Sequence, residues 1–433
     1  MKIACVGNMN NMMFTLCRYL RDRNIDSHLF TFADEAEHFL PEADSYTEDF
    51  RNFTVNLPIG KDDLFNSYKI AAVKPLFSGY GFIIGTDVAP ALLALLGLKL
   101  DVFIPHGSDI YAYPFPVYND KSTNRIWWLK SAYFIGRIQK KGIRNTQNIL
   151  FPDEYENNYP YKKKLAHTGP FFNTSGPMLY IPQYHSPDIE QHFKKLKYHD
   201  LFVGLRKAYE LVVFSHARQN GTNLPENLAV HDKGNLNLIE GFAKFIKESN
   251  VNACLVLFEY GMDVGSAKEQ VALLGIGSRV KWMPKMQRKE IMFGIRNADI
   301  VCGEFKNSWL TCGVVNETLA LGKPLLHYRN NVLYKADYPE LYPLLNARTS
   351  LEISDQLKRF VGDKEKINIL AMQGTAWLDT FSVKIPVDLI CSFIEGKKNN
   401  TLLSFKEHIH ISLIKSGFKI RLLVAKLNAK LKR

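Results

Sequence analysis

The feature that most constrains this chain is a rhythm of short apolar runs alternating with helix-like segments, and it occurs twice. Ile3 to Val6, then Phe14 to Arg23, then His28 to Phe32 follow the strand–helix–strand order that builds a parallel sheet. Further strands are predicted at Gly81 to Ile84, Val102 to Pro105 and Asn148 to Phe151, with a helix from Ala89 to Leu96. From about Pro177 to Leu201 the pattern fails, and Pro182, Pro187 and the Lys194-Lys195-Leu196-Lys197 run read as an exposed crossing between domains. A second series then begins. It runs strand Leu211 to Ser215, helix Asn237 to Glu248, strand Ala253 to Phe258, helix Ser266 to Leu274, strand Val280 to Met283, helix Arg288 to Asn297 and strand Ile300 to Cys302.

The expected fold class is therefore α/β, with two Rossmann-like doubly wound domains. A chain of 433 residues is longer than one core usually supports, which agrees. The domains are placed at 1–190 and 200–385, followed by a C-terminal helical segment at 386–433. The six cysteines form no C-x-x-C pair and no His/Cys cluster at zinc-ligand spacing, so they read as reduced core residues of a cytosolic protein, and no metal site is expected. The first residues read as a strand and not as a signal-peptide core, and the apolar run Val88 to Leu98 is too short to span a bilayer.

In open parallel sheets ligands gather at the carboxyl ends of strands, so the loops after strands carry the functional reading. After Leu211 to Ser215 come His216, Ala217 and Arg218, and further on Asp232-Lys233-Gly234-Asn235 precedes a helix. Arg218 and Lys233 either converge on a diphosphate, stabilising charge on a leaving group, or stand as two solvated surface cations. After Ile300 to Cys302, a helix is predicted from near Gly313 to an end marked by Gly322 and Pro324. Its first amides, near Gly313 and Val314, suit an anion. Glu317, one turn in, either accepts hydrogen bonds from a ribose diol or is an ordinary helix residue. Val102 to Pro105 delivers His106-Gly107-Ser108-Asp109, where His106 is either a proton-handling group or a structural histidine. Gly7-Asn8-Met9-Asn10-Asn11 lacks the G-x-G-x-x-G spacing of a dinucleotide site.

With these loops in chain order, residues 1 to about 395 resemble the GT-B glycosyltransferases, in which two such domains face across a cleft, and within them glycosyltransferase family 4. His106-Gly107-Ser108-Asp109 matches the family's H-G-x-D loop beside the transferring sugar, which implies catalytic roles for His106 and Asp109. Arg218 and Lys233-Gly234 occupy the positions of the family's diphosphate-binding Arg and Lys, with Gly313 and Val314 at the phosphates. Glu317 to Pro324 reproduces the E-A-x-A-x-G-x-P frame, whose Glu binds the donor ribose. One departure stands out: the family's first signature Glu, eight positions earlier, is Trp309 here, which becomes a possible donor-sugar contact. The resemblance implies a metal-independent hexosyltransferase that retains anomeric configuration, with a nucleotide diphosphate sugar as donor and no cofactor.

Beyond Gly396 the chain carries Lys397, Lys398, Lys406, Lys415, Lys419, Arg421, Lys426, Lys430, Lys432 and Arg433 against one acid, Glu407. Most of the formal net charge of +12 sits there. Leu413, Ile420, Val424, Leu427 and Leu431 fall near one helical face and Lys415, Lys419, Lys426 and Lys430 near another, the pattern of a helix lying on an anionic membrane surface. The other reading is a basic helix docked on the protein itself. No nucleic-acid motif accompanies the charge. The expectation is a glycosyltransferase at the inner face of the cell membrane, peripheral and cytoplasmic, acting on a glycan or lipid-linked acceptor in cell-surface polysaccharide or lipopolysaccharide synthesis. The alternatives are a GT-B-fold sugar-nucleotide epimerase, or a degenerate nucleotide- or glycan-binding scaffold, for which Trp309 is the motive.

Overall fold

The computed structural model describes residues 1–117, 124–152, 161–221, 232–397 and 402–431. Lys398, Lys432, Arg433 and the side chain of Leu431 lie outside the described residues. The chain divides into two compact units, one of residues 1–180 with 382–433 and the other of 181–381.

The first unit is built on a seven-stranded sheet: β1 (Lys2–Val6), β2 (Ser27–Thr31), β3 (Thr54–Asn56), β4 (Tyr80–Gly85), β5 (Val102–Phe103), β6 (Asn148–Leu150) and β7 (Phe171–Phe172). Their order across the sheet is β3-β2-β1-β4-β5-β6-β7, and every pairing is parallel. Helices α1 (Met12–Asp22), α2 (Ala89–Leu96) and α3 (Ile135–Asn145) connect them. Proline at the second position of α2 and the left-handed Gly97 after it explain why that helix begins and ends as its sequence predicts.

The second unit carries β8 (Leu211–Phe214), β9 (Ala253–Phe258), β10 (Val280–Met283), β11 (Ile300–Cys302), β12 (Leu325–His327) and β13 (Leu345–Asn346), in the order β10-β9-β8-β11-β12-β13, again all parallel. All six residues of β9 are buried, which is why it reads as a continuous apolar run with no polar alternation. The helices that matter below are α4 (Asn235–Glu248), α5 (Arg288–Asn297) and α6 (Gly313–Ala320). Both sheets have the Rossmann order, reversing direction between β1 and β4 in one and between β8 and β11 in the other. The carboxyl ends of strands at such a reversal diverge and leave room for a ligand.

The division between the units, after residue 180, falls inside the stretch from Pro177 to Leu201, which also contains the helix Ile189–Phe193 and the start of His199–Ala208; Phe193 and Phe202 pack their rings 4.9 and 6.3 Å from that of Phe293. The C-terminal segment is not separate, because residues 382–433 belong to the first unit. Helix α7 (Ile385–Glu395) sets Asp388 2.5 Å from Arg23 and Phe393 against Phe172. Helix α8 (Phe405–Leu431) buries Ile411, Phe418 and Ala425 in the first unit's core, with the Phe418 ring 4.5 Å from that of Phe134.

Between α7 and α8, the Lys397 ammonium lies 2.7 Å from each oxygen of Asp101, whose side chain is fully buried and also accepts the Ile83 amide. Lys397, counted among the surface charges of the tail, is thus an interior one. Removing one partner of a buried pair leaves the other uncompensated, so Lys397→Met is expected to cost about 3 kcal/mol in a urea unfolding titration. A midpoint equal to wild type would mean that the pair does not hold the tail.

Candidate functional site

The second unit brings its polar side chains together at the carboxyl ends of β8 and β11. His216, two residues past β8, donates from Nε2 to Oε2 of Glu317 at 2.5 Å, and Arg288, the first residue of α5, donates from Nε to Oε1 of the same carboxylate at 3.1 Å. Burial pushes the Glu317 carboxyl up, but His216 and Arg288 more than offset this and hold it below the usual carboxylate range. Each carboxylate oxygen keeps a further lone pair, so Glu317 can still accept from hydroxyls.

A second chain of contacts starts at Lys233, whose ammonium lies 2.6 Å from Oε1 of Glu304. An ammonium has three donors, so Lys233 can keep Glu304 and present the others to an anion. The Glu304 amide donates to Nδ1 of His327 at 2.9 Å, which places the imidazole proton on Nε2, where it donates to the Trp309 carbonyl at 2.9 Å. Burial lowers the His327 pKa and keeps this ring neutral. The two loops approach too closely for ordinary side chains. A Cβ on Gly303 would meet His327 Nδ1 at 2.4 Å, and one on Gly234, whose φ is +67°, would meet Phe305 Cβ at 2.9 Å. Behind Gly234 the Phe305 amide donates to the Lys233 carbonyl at 2.9 Å, fixing the lysine loop to the β11 loop.

Helix α6 begins beside these groups, its cap Cys312 extended and giving no side-chain hydrogen bond to the first amides. A Cβ on Gly313 would meet nothing within 4 Å. Several buried polar atoms of this edge have no hydrogen-bond partner among the described residues: Ser215 Oγ, His216 Nδ1, Glu304 Oε2 and the Trp309 indole Nε1. Such atoms are costly in a protein interior unless something polar meets them. Trp309 thus presents an N–H donor in the place where the resembling family carries a carboxylate.

The first unit treats its histidine loop differently. The Asp109 side chain is fully buried and accepts the His106 amide at 2.9 and 3.0 Å and the Asp87 amide at 3.1 Å, tying the loops after β4 and β5 together. Gln139 of α3 braces the same loops by donating to the carbonyls of Asp87 and Asp109. Burial, with Asp87 nearby, pushes the Asp109 carboxyl up to about 7. Buried and bonded to these amides, Asp109 holds the loop on which His106 sits. His106 beside it is half-buried on an open loop, where a Cβ on Gly107 would touch nothing.

Of the residues singled out in the sequence, the structure gathers Lys233, Trp309, Gly313, Val314 and Glu317 around the ends of β8 and β11. Arg218 is exposed, its guanidinium 6.0 Å from the Tyr260 ring. His216, Arg288, Glu304 and His327 join the gathered residues through their contacts with Glu317, Lys233 and Trp309. His216 was detectable, since it directly follows a strand end. Arg288 carries no local signal, because its partner is 29 residues away. Among the described residues no group of three or more His, Cys, Asp or Glu is placed to hold a metal ion.

No protein-family model matches the chain, and no curated protein matches it in sequence. Its structure does match solved ones. Anabaena Alr3699/HepE in complex with UDP-glucose is similar over 92% of this chain and 100% of that one, at 15% identity and a TM-score of 0.57. WaaG, a glycosyltransferase involved in lipopolysaccharide biosynthesis, matches over 92% and 100%, at 14% identity and 0.53. A proposed UDP-N-acetylglucosamine 2-epimerase from Listeria monocytogenes matches over 93% and 99%, at 12% identity and 0.51. The fold is GT-B, the two-domain fold of these glycosyltransferases. At such identities the likeness speaks for the fold, and a proposed epimerase among the matches shows that the fold alone does not choose the reaction.

Because its folded-state pKa is depressed, Glu317 contributes stability above its unfolded pKa and loses it as pH falls through the folded value. Between about pH 5 and about pH 3, wild type should lose more stability to urea than Glu317→Gln does. Parallel pH profiles would show that the His216 and Arg288 contacts do not hold the carboxylate charged. Gly234→Ala, forced against Phe305, is expected to cost about 1–3 kcal/mol by the same titration.

Proposed function

We propose that this chain is a glycosyltransferase that moves a hexosyl group from a nucleoside diphosphate sugar to a glycan or lipid-linked acceptor. The observation that carries this reading is the edge of the second sheet. The Glu317 contacts with His216 and Arg288, the Lys233–Glu304 pair with donors to spare and the start of α6 lie where Rossmann-like sheets bind nucleotides. As the anomeric C–O bond to the diphosphate breaks, the acceptor oxygen forms the new glycosidic bond and its proton passes to the leaving phosphate oxygen, on whose nucleoside diphosphate negative charge gathers. Lys233, the first amides of α6 at Gly313 and Val314, and Arg218 are assigned to that charge, in the part a divalent cation plays elsewhere. Glu317 is assigned to the ribose hydroxyls and His106 to the reacting sugar. Retention of anomeric configuration follows from the family resemblance.

The wider setting is part of the same proposal: synthesis of a cell-surface polysaccharide or lipopolysaccharide, at the cytoplasmic face of the membrane. It is supported by the similarity to WaaG and by the basic tail. Trp309 favours a second reading, a chain that binds a nucleotide sugar without transferring the sugar, because no carboxylate stands at that position.

UDP and UDP-glucose, the ligands in the HepE structures, head the panel for a thermal unfolding test. A ligand at about a hundred times its Kd adds about 2.7 kcal/mol of stability. The expected result is a shift with one nucleotide sugar that Lys233→Ala and Glu317→Ala both lose, followed by acceptor-dependent release of the nucleoside diphosphate. Binding without release under any acceptor would favour the second reading, and no shift with any nucleotide would sink both.

A further inference from the structure

Helix α8 has two apolar faces, and among the described residues only one of them is packed. Ile411, Phe418 and Ala425, spaced seven residues apart, are buried in the first unit's core, with Ile414 and Leu422 packed beside them. At 100° per residue, Ile409, Leu413, Ile420, Leu423, Val424 and Leu427 fall on the opposite side. They are exposed, from 43% at Ile409 to 65% at Ile420. The stripe runs about 27 Å along the helix at 1.5 Å per residue. Isolated exposed leucines need no explanation, but six large apolar side chains along one helix face, interrupted at Ser416, do.

The charges beside it indicate what covers it. Lys419, Lys426 and Lys430 are exposed and fall along one edge of the stripe. The only acid of the helix, Glu407, is held 3.0 Å from Lys99 and accepts from Ser404, so it neutralises none of them. Of the other basic residues, Lys415 is half-buried, which lowers its pKa, and the exposed Arg421 lies 5.3 Å from the Tyr133 ring on the side away from the stripe. An apolar stripe bordered by unneutralised lysines matches a surface that is greasy beneath and anionic on top. A second copy of the chain is a poorer match, because an antiparallel pairing of the stripes would bring the two lysine edges together.

We infer that the exposed face of α8 is a membrane-binding surface, on which the helix lies in the plane of an anionic bilayer while its other face holds the first unit. The sequence offered a membrane helix or a docked helix as alternatives; the two faces let one helix be both. This deepens the membrane-facing part of the proposed function and rests on it, but it does not depend on the sugar-transfer chemistry. No described helix is long and apolar enough to cross a membrane, so contact along a face is the mode this helix offers.

The test is sedimentation of the full chain with vesicles of phosphatidylcholine alone or with phosphatidylglycerol added. Wild type is expected to pellet with the anionic vesicles, less so as salt rises, and weakly or not at all with the neutral ones. A Lys419→Gln/Lys426→Gln/Lys430→Gln triple variant should weaken binding by about a hundredfold, at about fivefold per lysine. A Leu413→Gln/Ile420→Gln/Leu427→Gln triple variant should abolish it. Both alter exposed side chains only, so their thermal midpoints and nucleotide-induced shifts should equal those of wild type. The inference is overturned if either variant binds anionic vesicles as wild type does, or if wild type ignores them. It is overturned equally if wild type is a dimer in sedimentation velocity that the apolar variant alone dissociates. Loss of the nucleotide shift in wild type, with vesicle binding intact, would strike at the sugar-transfer reading and leave this one standing.

Discussion

A carboxylate buried at the end of a parallel sheet survives as an anion only if hydrogen-bond donors reach it, and much of the second unit's site is arranged around that demand at Glu317. Its two oxygens are met from two directions, by His216 beyond β8 and by Arg288 at the start of α5. The helix that carries Glu317 begins at the same edge, so the pairing also fixes where the amides at Gly313 and Val314 lie. Glu304 makes the same demand one strand-end away, and Lys233 answers it. The outcome is a charged edge whose groups are paired among themselves yet retain spare donors and acceptors, which is the state a nucleotide-binding surface needs before its ligand arrives.

Glycine makes the arrangement possible. Lys233 reaches Glu304 because Gly234 lets its loop lie against the backbone of Phe305, and His327 bridges Glu304 to Trp309 because Gly303 leaves it room. In the first unit a buried carboxylate does a different task. Asp109 accepts two backbone amides from two loops and so holds the His106 loop in shape. One H-G-x-D motif thus contains a buried carboxylate that holds the shape of the loop on which its histidine sits.

The C-terminal segment follows the same logic of partners. Lys397, read as one charge among ten, is drawn into the interior by Asp101, while Lys419, Lys426 and Lys430 remain outside with an apolar stripe beside them. Position along the sequence does not separate these lysines; the presence or absence of a buried acid does.

The sequence by itself determined the two parallel sheets, because strands covered on both faces must be continuous apolar runs and those runs are visible in β1, β9 and β11. It also determined the start of α6 and the placement of Lys233, Trp309 and Glu317 after strand ends, since cap and glycine signals are local. It did not reveal β3, β7, β12 and β13, which are two or three residues long and exist only through the neighbour they pair with. It did not reveal that Arg288 serves Glu317, that His327 serves Glu304, or that Asp109 is sealed. Those are contacts between segments far apart in the chain, and no local pattern encodes them. Which face of α8 is covered was likewise decided by tertiary structure alone: both faces are apolar in sequence, and only the packing of Ile411 and Phe418 against the first unit leaves the other one free.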